Sequence, residues 1–155
     1  MITIKTVGLI GAGLMGHGIG KNVLEKGFAL VTMAHRNREP VEDLVKRGAR
    51  ELKSPAEIAA ASDLVILCVT GTPQVEETVY GAAGLLAAGK KGLIIADCST
   101  AIPDSTKKIA ADCAARGVTF IDTPMTRTPR EAEAGKLGLM VGGEKAVLEA
   151  ARTGR

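Results

Sequence analysis

The sequence predicts a doubly wound α/β fold, in which a mostly parallel sheet carries helices on both faces. Strand-like and helix-like segments alternate along the 155 residues with short connections, a pattern typical of parallel βαβ units. Residues 64–69 form a continuous apolar run, as expected for a strand that is buried on both faces. Residues 11–16 form a glycine-rich turn between the first strand and the first helix.

Six segments are predicted to be strands, because they are short, apolar and rich in β-branched residues. In chain order, these strands cover residues 3–10, 28–34, 64–69, 93–96, 118–121 and 137–141. The first of them ends at a glycine, and the last is followed by a pair of glycines, Gly142 and Gly143.

Helices are predicted between and after these strands. In chain order, they cover residues 14–26, 40–47, 73–80, 103–116 and 130–134, with a further helix starting at Ser54-Pro55-Ala56-Glu57 and a last one over residues 144–151. Gly27 and Gly48 lie just beyond the ends of the first two, where glycine is favoured. Ser54 and Glu57 have the spacing of an N-cap serine and a glutamate at the third helical position.

The composition of the chain argues against nucleic acid and membranes as partners. The net charge is +3 without a dense basic run, and only three aromatic residues are present, so base stacking and phosphate tracking on nucleic acid are not expected. No apolar run approaches the length of a membrane span and no signal peptide is recognisable. We therefore expect one domain over residues 1–155, with no membrane partner and a cytoplasmic location.

The three cysteines do not suggest a disulfide framework or a metal site. Cys68, Cys98 and Cys113 are an odd number and contain no Cys-x-x-Cys spacing, so buried, reduced thiols are expected and no metal is predicted.

The glycine-rich turn predicts a dinucleotide site. Gly11-Ala12-Gly13-Leu14-Met15-Gly16 is a Gly-x-Gly-x-x-Gly pattern that follows a strand and opens a helix. Gly11 would permit the tight turn, Gly13 the approach of a pyrophosphate, and Gly16 close packing of helix on strand. The alternative is a turn that serves only to reverse the chain.

The end of the second strand predicts which dinucleotide is bound. An NAD site usually has an acid there for the ribose hydroxyl, but this chain has His35-Arg36-Asn37-Arg38 and no acid before Glu39. A basic cluster suits the 2′-phosphate of NADP, because guanidinium pairs with phosphate in a bidentate fork. We predict NADP in preference to NAD, the alternative being two solvated arginines.

Four segments of the chain carry a family resemblance. They are residues 8–16, residues 67–75, Asp97-Cys98-Ser99-Thr100-Ala101-Ile102-Pro103, and Phe120-Ile121-Asp122-Thr123-Pro124. With their order and spacing, the sequence resembles the β-hydroxyacid dehydrogenases, the family of 3-hydroxyisobutyrate and 6-phosphogluconate dehydrogenases, from about residue 3 to residue 150. The resemblance implies that the chain is the N-terminal NAD(P)-binding domain, of Rossmann type.

The resemblance also assigns expected roles to individual residues. Cys68, Val69 and Pro73 would flank the nicotinamide half of the cofactor. Ser99 would position substrate and nicotinamide, with Thr100 beside it on the cofactor. The alternative for Ser99 and Thr100 is an N-cap of the helix that follows.

Two departures from the family pattern matter. Where the family has Ser-Gly-Gly, this chain has Thr126-Arg127-Thr128, which we expect to contact the substrate, with Arg127 pairing to a carboxylate or phosphate. The alternative is that Arg127 lies on the surface of a rearranged loop. The family's C-terminal helical domain, with its catalytic lysine, is expected to be absent from this chain, and Lys136 is not a substitute.

The expected function is therefore cofactor binding for an NADP-dependent oxidoreductase. By resemblance, hydride would pass between nicotinamide and a small 3-hydroxyacid or the corresponding aldehyde-acid, with an imine-type reductase as a neighbouring possibility. The full-length form would be a homodimer, and the chain alone would turn over poorly. The alternatives are a non-catalytic dinucleotide-binding module and, disfavoured by the basic cluster, an S-adenosylmethionine enzyme.

Overall fold

The sheet is built from six short strands. A computed structural model describes residues 3–143 and 145–152. The strands are β1 (Thr6–Ile10), β2 (Ala29–Thr32), β3 (Arg50–Glu51), β4 (Leu64–Leu67), β5 (Ile94–Asp97) and β6 (Thr119–Asp122). They are all parallel and lie in the order β3-β2-β1-β4-β5-β6. This order confirms the predicted Rossmann-type fold, and it reverses direction between β1 and β4, where such sheets open a ligand crevice.

Helices cover both faces of this sheet. They are α1 (Leu14–Glu25), α2 (Glu39–Lys46), α3 (Pro55–Ala61), α4 (Thr72–Tyr80), α5 (Pro103–Ala114), α6 (Pro129–Glu133) and α7 (Lys145–Arg152), with a 3₁₀ turn at Leu85–Ala88. The predicted start of α3 is confirmed, because the Ser54 side chain accepts a hydrogen bond of 3.2 Å from the Glu57 N–H. None of the helices in the described ranges is long and apolar enough to cross a membrane.

Two apolar layers hold the helices on the sheet. Leu9 and Leu30 of the sheet pack with Leu44 of α2 and with α1 on one face. The other face packs against α3, α4 and α5 through buried Ile58, Val75 and Ile109. The core is therefore aliphatic, and it fixes the carboxyl ends of β1, β2, β4 and β5 along one edge.

The segment after β6 differs from the predicted pattern. The predicted strand over residues 137–141 shortens to β8 (Gly138–Leu139), which pairs antiparallel with β7 (Met125–Thr126) in a separate two-stranded sheet. The prediction that it continues the parallel series is wrong. The connection from β7 to β8 is the eleven residues 127–137, whereas a parallel return needs a crossover of about a dozen or more.

Other differences concern the ends and the shortest elements. The strand β3 escaped prediction because its two residues, Arg50 and Glu51, are both exposed and polar. Most other elements begin or end within a few residues of the predicted positions. Glu144, the predicted first residue of the last helix, lies outside the described residues.

Candidate functional site

A cavity of about 1020 Å³ opens at the carboxyl edge of the sheet, above the point where the strand order reverses. Every residue predicted to bind the cofactor lines this cavity, namely Gly11, Ala12, Gly13, Leu14, Met15, Gly16, His35, Arg36, Asn37, Cys68, Val69, Pro73 and Thr100. Ser99 lines it too. Four loops that are far apart in sequence thus meet at one site.

The three glycines of the turn meet different constraints. Gly11 has a φ of +96°, and a Cβ there would lie 2.1 Å from the Cys68 carbonyl oxygen. A Cβ at Gly16 would lie 1.9 Å from the Gly11 carbonyl oxygen, so this helix–turn contact excludes any side chain. A Cβ at Gly13 would meet no atom within 4 Å. No protein atom therefore excludes a side chain at position 13. A ligand that approaches the backbone closely would explain why glycine is present there.

The first turn of α1 is suited to an anion. Gly13 is the N-cap, no side chain caps the helix, and no acidic residue lies in its first turn. The His17 N–H bonds back to the Gly13 carbonyl, so the N–H groups before it have no partner within the helix. Such amides and the helix dipole favour a phosphate, and the residues present therefore fit a dinucleotide pyrophosphate.

The two arginines after β2 have different surroundings. Arg38 forms ion pairs with Glu51 at 3.0 Å and with Glu42 at 3.6 Å, and it does not line the cavity. Arg36 lines the cavity and has no ion pair within residues 3–143 and 145–152. Asn37 accepts a hydrogen bond of 3.2 Å from the Glu39 N–H, which shapes the turn into α2.

Ser99 is fixed from two sides at the end of β5. Its side chain is nearly buried, and its Oγ accepts a hydrogen bond of 3.0 Å from the Val69 N–H. Its own N–H donates to Asp97 Oδ1 at 2.9 Å. The alternative that Ser99 or Thr100 caps α5 is wrong, because Ile102 occupies the N-cap position. Ser99 therefore links the loop after β4 to the loop after β5.

A buried carboxyl group lies beneath Ser99. Asp97 is fully buried, and its Oδ2 has no hydrogen-bond partner within the described part of the chain. Burial raises the pKa of Asp97, and the charge of Asp122 raises it further, although hydrogen bonds from Ser99 oppose the shift. The group therefore favours its neutral form more than an ordinary aspartate does.

The three cysteines are free, and Cys98 and Cys113 are buried as expected, whereas Cys68 is only half-buried. Burial raises the pKa of Cys68 to about 12 and that of Cys98 to about 11. Both thiols are therefore protonated at neutral pH, and the thiolate is the form that attacks or binds metal. Among the described residues, no group of three or more His, Cys, Asp or Glu side chains is arranged to hold a metal ion.

Of the residues predicted to contact the substrate, Ser99 lines the cavity, whereas Thr126, Arg127 and Thr128 do not. Thr126 Oγ donates to the Gly138 carbonyl at 3.2 Å. Arg127, which has a φ of +84°, donates from Nη1 to the Lys136 carbonyl at 2.9 Å. Thr128 is the N-cap of α6. Their neighbour Met125 does line the cavity, and a role for all three in substrate binding stays a prediction.

The loop and helix after β4 contribute lining residues that received no individual role from the sequence, although two of them lie within the family-like segment 67–75. Thr70, Gln74 and Glu77 line the cavity, beside the predicted Val69 and Pro73. Their position in the sequence could have indicated this role, because ligands of such sheets bind at the carboxyl ends of buried parallel strands.

Comparison with known proteins decides the family. A family model described as the NAD binding domain of 6-phosphogluconate dehydrogenase matches residues 6–153. The chain belongs to this family. The resemblance inferred from the four sequence segments is thereby confirmed.

Relatives of this 6-phosphogluconate dehydrogenase-type domain include two named enzymes. The 2-(hydroxymethyl)glutarate dehydrogenase of Eubacterium barkeri is 34% identical over 143 residues, which cover 92% of this chain and 47% of the relative. The 2-hydroxy-3-oxopropionate reductase of Escherichia coli K12 is 36% identical over 145 residues, which cover 92% and 48%. The chain spans about half the length of these curated relatives.

Among solved structures, "Psf3 in complex with NADP+ and 2-OPP" superposes with a TM-score of 0.86 at 28% identity. The match covers 94% of this chain and 51% of that one. The fold and the family are therefore those of hydroxyacid dehydrogenases, in the part that carries the nucleotide.

Proposed function

We propose that this chain is the NADP-binding part of an oxidoreductase that interconverts a small 3-hydroxyacid and its aldehyde-acid. The observation that carries the cofactor choice is Arg36, which lines the cavity at the end of β2 without an ion pair among the described residues. A free guanidinium at this position suits a 2′-phosphate, and an NAD site would instead have an acid there. The related structure that holds NADP+ supports the same choice.

The chain's own residues would hold the pyrophosphate at the middle of the cofactor and both of its ends. The N–H groups at the start of α1 would bind the pyrophosphate, and Arg36 would bind the adenosine phosphate with help from His35 and Asn37. Cys68, Val69 and Pro73 would enclose the nicotinamide half. When bound, NADP supplies the hydride acceptor and donor that no side chain provides.

Ser99 would orient the reacting groups. Its Oγ already accepts a hydrogen bond from the Val69 N–H at 3.0 Å. Its hydroxyl proton and its remaining lone pair would then interact with the Asp97 carboxyl and with a molecule bound in the cavity. We place substrate beside Ser99 and Thr100, with Thr126, Arg127 and Thr128 closing that side. Arg127 would pair with a substrate carboxylate once its bond to the Lys136 carbonyl is exchanged.

The substrate class rests on the named relatives. 2-(Hydroxymethyl)glutarate carries its hydroxyl two carbons from a carboxyl carbon, and reduction of the aldehyde in 2-hydroxy-3-oxopropionate places a hydroxyl there too. We extend this 3-hydroxyacid pattern to the protein of which this chain is the nucleotide-binding part. The general acid/base, a lysine in the family, would come from outside these residues.

The test of the cofactor choice is a fluorescence titration of the purified chain with NADPH and with NADH. We expect tighter binding of NADPH, and Arg36→Ser to weaken NADPH binding about tenfold or more while leaving NADH nearly unchanged, since a charge-assisted hydrogen bond contributes about 1.5–3 kcal/mol. Arg38→Ser is the matched control, because Arg38 is bound to Glu42 and Glu51.

Equal affinity for the two nucleotides, or equal effects of the two arginine variants, would contradict the NADP assignment. A folded, monodisperse chain that binds neither nucleotide would contradict the dinucleotide site itself. A non-catalytic dinucleotide-binding module would give the same titrations and differ in turnover.

A further inference from the structure

One side chain outside the cavity joins three helices. His17 lies on α1, and its Nε2 is 2.7 Å from Asp43 Oδ2 on α2. Its Nδ1 is 2.5 Å from Glu133 Oε1 on α6. The side chain is 22% exposed, so these contacts are partly shielded from water. We name this group, His17 with Asp43 and Glu133, the helix clamp.

The geometry of the helix clamp requires a charged imidazole. A neutral imidazole has one N–H and one acceptor nitrogen, so it can donate to only one of two carboxylates. Both nitrogens lie within hydrogen-bond distance of a carboxylate oxygen, and only the imidazolium donates to both. Burial lowers the pKa of His17, but the hydrogen bonds and charges of Glu133 and Asp43 outweigh burial and raise it overall.

The charges around the clamp alternate in sign. Lys21 Nζ lies 3.2 Å from Glu133 Oε2 on the α6 side, and Arg47 Nε lies 2.7 Å from Asp43 Oδ2 on the α2 side. Glu25 acts on Arg47 through its charge. Hydrogen bonds from Arg47 and His17 lower the pKa of Asp43, and the bond from His17 lowers that of Glu133. Both carboxylates therefore stay charged near neutral pH.

Two helices of the clamp, α1 and α2, line the cofactor cavity, and the third, α6, packs on α1. The helix α1 begins at the glycine turn. The helix α2 follows the basic loop, and its Pro40 and Val41 line the cavity. The helix α6 follows the loop of Arg127 and packs so closely on α1 that a Cβ at Gly18 would lie 2.6 Å from the Ala132 carbonyl carbon.

We propose that protonated His17 is a positioning residue for the cofactor site, because it holds the helix of the basic loop and the helix of the Arg127 loop against the helix of the glycine turn. This inference rests on the proposed NADP-binding function and adds a proton dependence to it. His17 touches neither cofactor nor substrate; it acts through the spacing of Arg36 from the N–H groups of α1.

The sign of the proton dependence follows from the raised pKa. The clamp is complete while His17 is charged, and one of its two hydrogen bonds is lost as the pH rises through the pKa of His17, which lies above the ordinary value of 6.5. NADPH affinity should therefore fall across that range. By reciprocity, bound NADPH should raise the pKa of His17 further.

The test combines two measurements on the chain. The pKa of the His17 imidazole is followed by NMR without nucleotide. The Kd for NADPH is measured from about pH 6.5, the ordinary histidine pKa, upwards to about pH 9.5. The variants are His17→Gln, which keeps one donor and loses the charge, and Asp43→Asn and Glu133→Gln, which each remove one acceptor charge. Lys108→Gln, which breaks a similar exposed pair with Asp112 on α5, is the matched control.

We expect His17→Gln to weaken NADPH binding about two- to fivefold at the acid end of this range, the size of a single ion-pair contribution. The deficit should disappear at the alkaline end, where wild type has also lost the charge. Asp43→Asn and Glu133→Gln should each lower the pKa of His17 and weaken NADPH binding in the same pH range. These two variants test the proposal even if His17→Gln does not fold. Lys108→Gln should match wild type throughout.

Parallel Kd profiles for wild type and the clamp variants would overturn the positioning role while leaving the proposed function intact. A His17 pKa at or below the ordinary value would overturn it as well. Wild type that is folded but binds no NADPH at any pH would overturn the proposed function, and the positioning role with it.

Discussion

At the scale of single residues, neighbours in sequence serve separate purposes. Arg36 and Arg38 are two positions apart, but Arg38 is held by Glu42 and Glu51 while Arg36 lines the cavity. The sequence identifies the basic cluster, but it could not say which arginine is free. That distinction depends on β3, which brings Glu51 to Arg38 and has no apolar pattern to reveal it.

The glycines of the turn also serve separate purposes, because one is required for packing and another is proposed to be required for binding the cofactor. We expect Gly16→Ala to destabilise the fold by about 3 kcal/mol, the scale of overpacking in a rigid contact, because the new Cβ would meet the Gly11 carbonyl oxygen at 1.9 Å. Gly13→Ala has open space around the new Cβ and should cost no more than about 1 kcal/mol, the scale of placing alanine at a helix N-cap, yet weaken NADPH binding about tenfold or more by blocking the pyrophosphate. Chemical denaturation and nucleotide titration of the two variants check this.

If both variants lose stability equally, the backbone geometry at position 13 is more constrained than the contact distances imply. If Gly13→Ala binds NADPH like wild type, the pyrophosphate does not approach this turn.

At the scale of elements, α6 depends on α1 for its position. Asn22 on α1 donates from Nδ2 to the Ala132 carbonyl at 2.9 Å and to the Glu133 carbonyl at 3.2 Å. These are carbonyl groups at the end of a five-residue helix, which is too short to be stable without tertiary contacts. Asn22 therefore adds to the hydrogen bonds that these carbonyls accept from the Gly135 N–H and from Lys21 Nζ, and it ties the end of α6 to α1.

Asn22→Ala should consequently lower the free energy of unfolding by about 1–3 kcal/mol, because it removes two hydrogen bonds that hold partly buried carbonyl groups of α6. We expect the loss to be local as well, with faster amide hydrogen exchange in α6 and in the loop of Arg127 than in β4 or β5. Ser105→Ala, which removes an exposed bond to Glu76, is the control and should have little effect. Uniformly faster exchange over the whole sheet would show that Asn22 supports the fold at large.

Helices and strands were predicted best where the sequence carries a regular apolar pattern or a recognisable N-cap. The buried strands and the helix that begins after Ser54 are identified from local sequence, because apolar runs and N-caps are local signals. The pairing of β7 with β8 is not, because it depends on the short length of α6 and on contacts between residues distant in sequence. The helix clamp escaped notice for the same reason, since His17 meets Asp43 and Glu133 only after three helices have packed.

At the scale of the whole molecule, the fold brings together the residues proposed to hold the nucleotide but only some of those proposed to contact the substrate. The predicted cofactor residues all reach one cavity, since a Rossmann-type sheet brings its carboxyl ends together. Ionisable side chains on that cavity include His35, Arg36 and Glu77, but no lysine of the described residues lines it. The sequence therefore identified residues that the fold brings to one cavity, whereas Thr126, Arg127 and Thr128 of the predicted substrate set do not line it.

This division predicts the behaviour of the isolated chain with a full set of reactants. It should bind NADPH with the pH dependence given above, but reduce 2-hydroxy-3-oxopropionate and similar aldehyde-acids at least about 10²-fold more slowly than the full-length Escherichia coli relative, because a positioned general acid/base contributes about 10²–10⁴ in rate. The measurement is the loss of NADPH absorbance over a panel of aldehyde-acids, with Ser99→Ala as the variant that should lower any residual rate without abolishing nucleotide binding. Turnover comparable with the relative would contradict the prediction, and it would mean that a group already on this cavity, with His35 and Glu77 as the side chains to substitute first, delivers the proton.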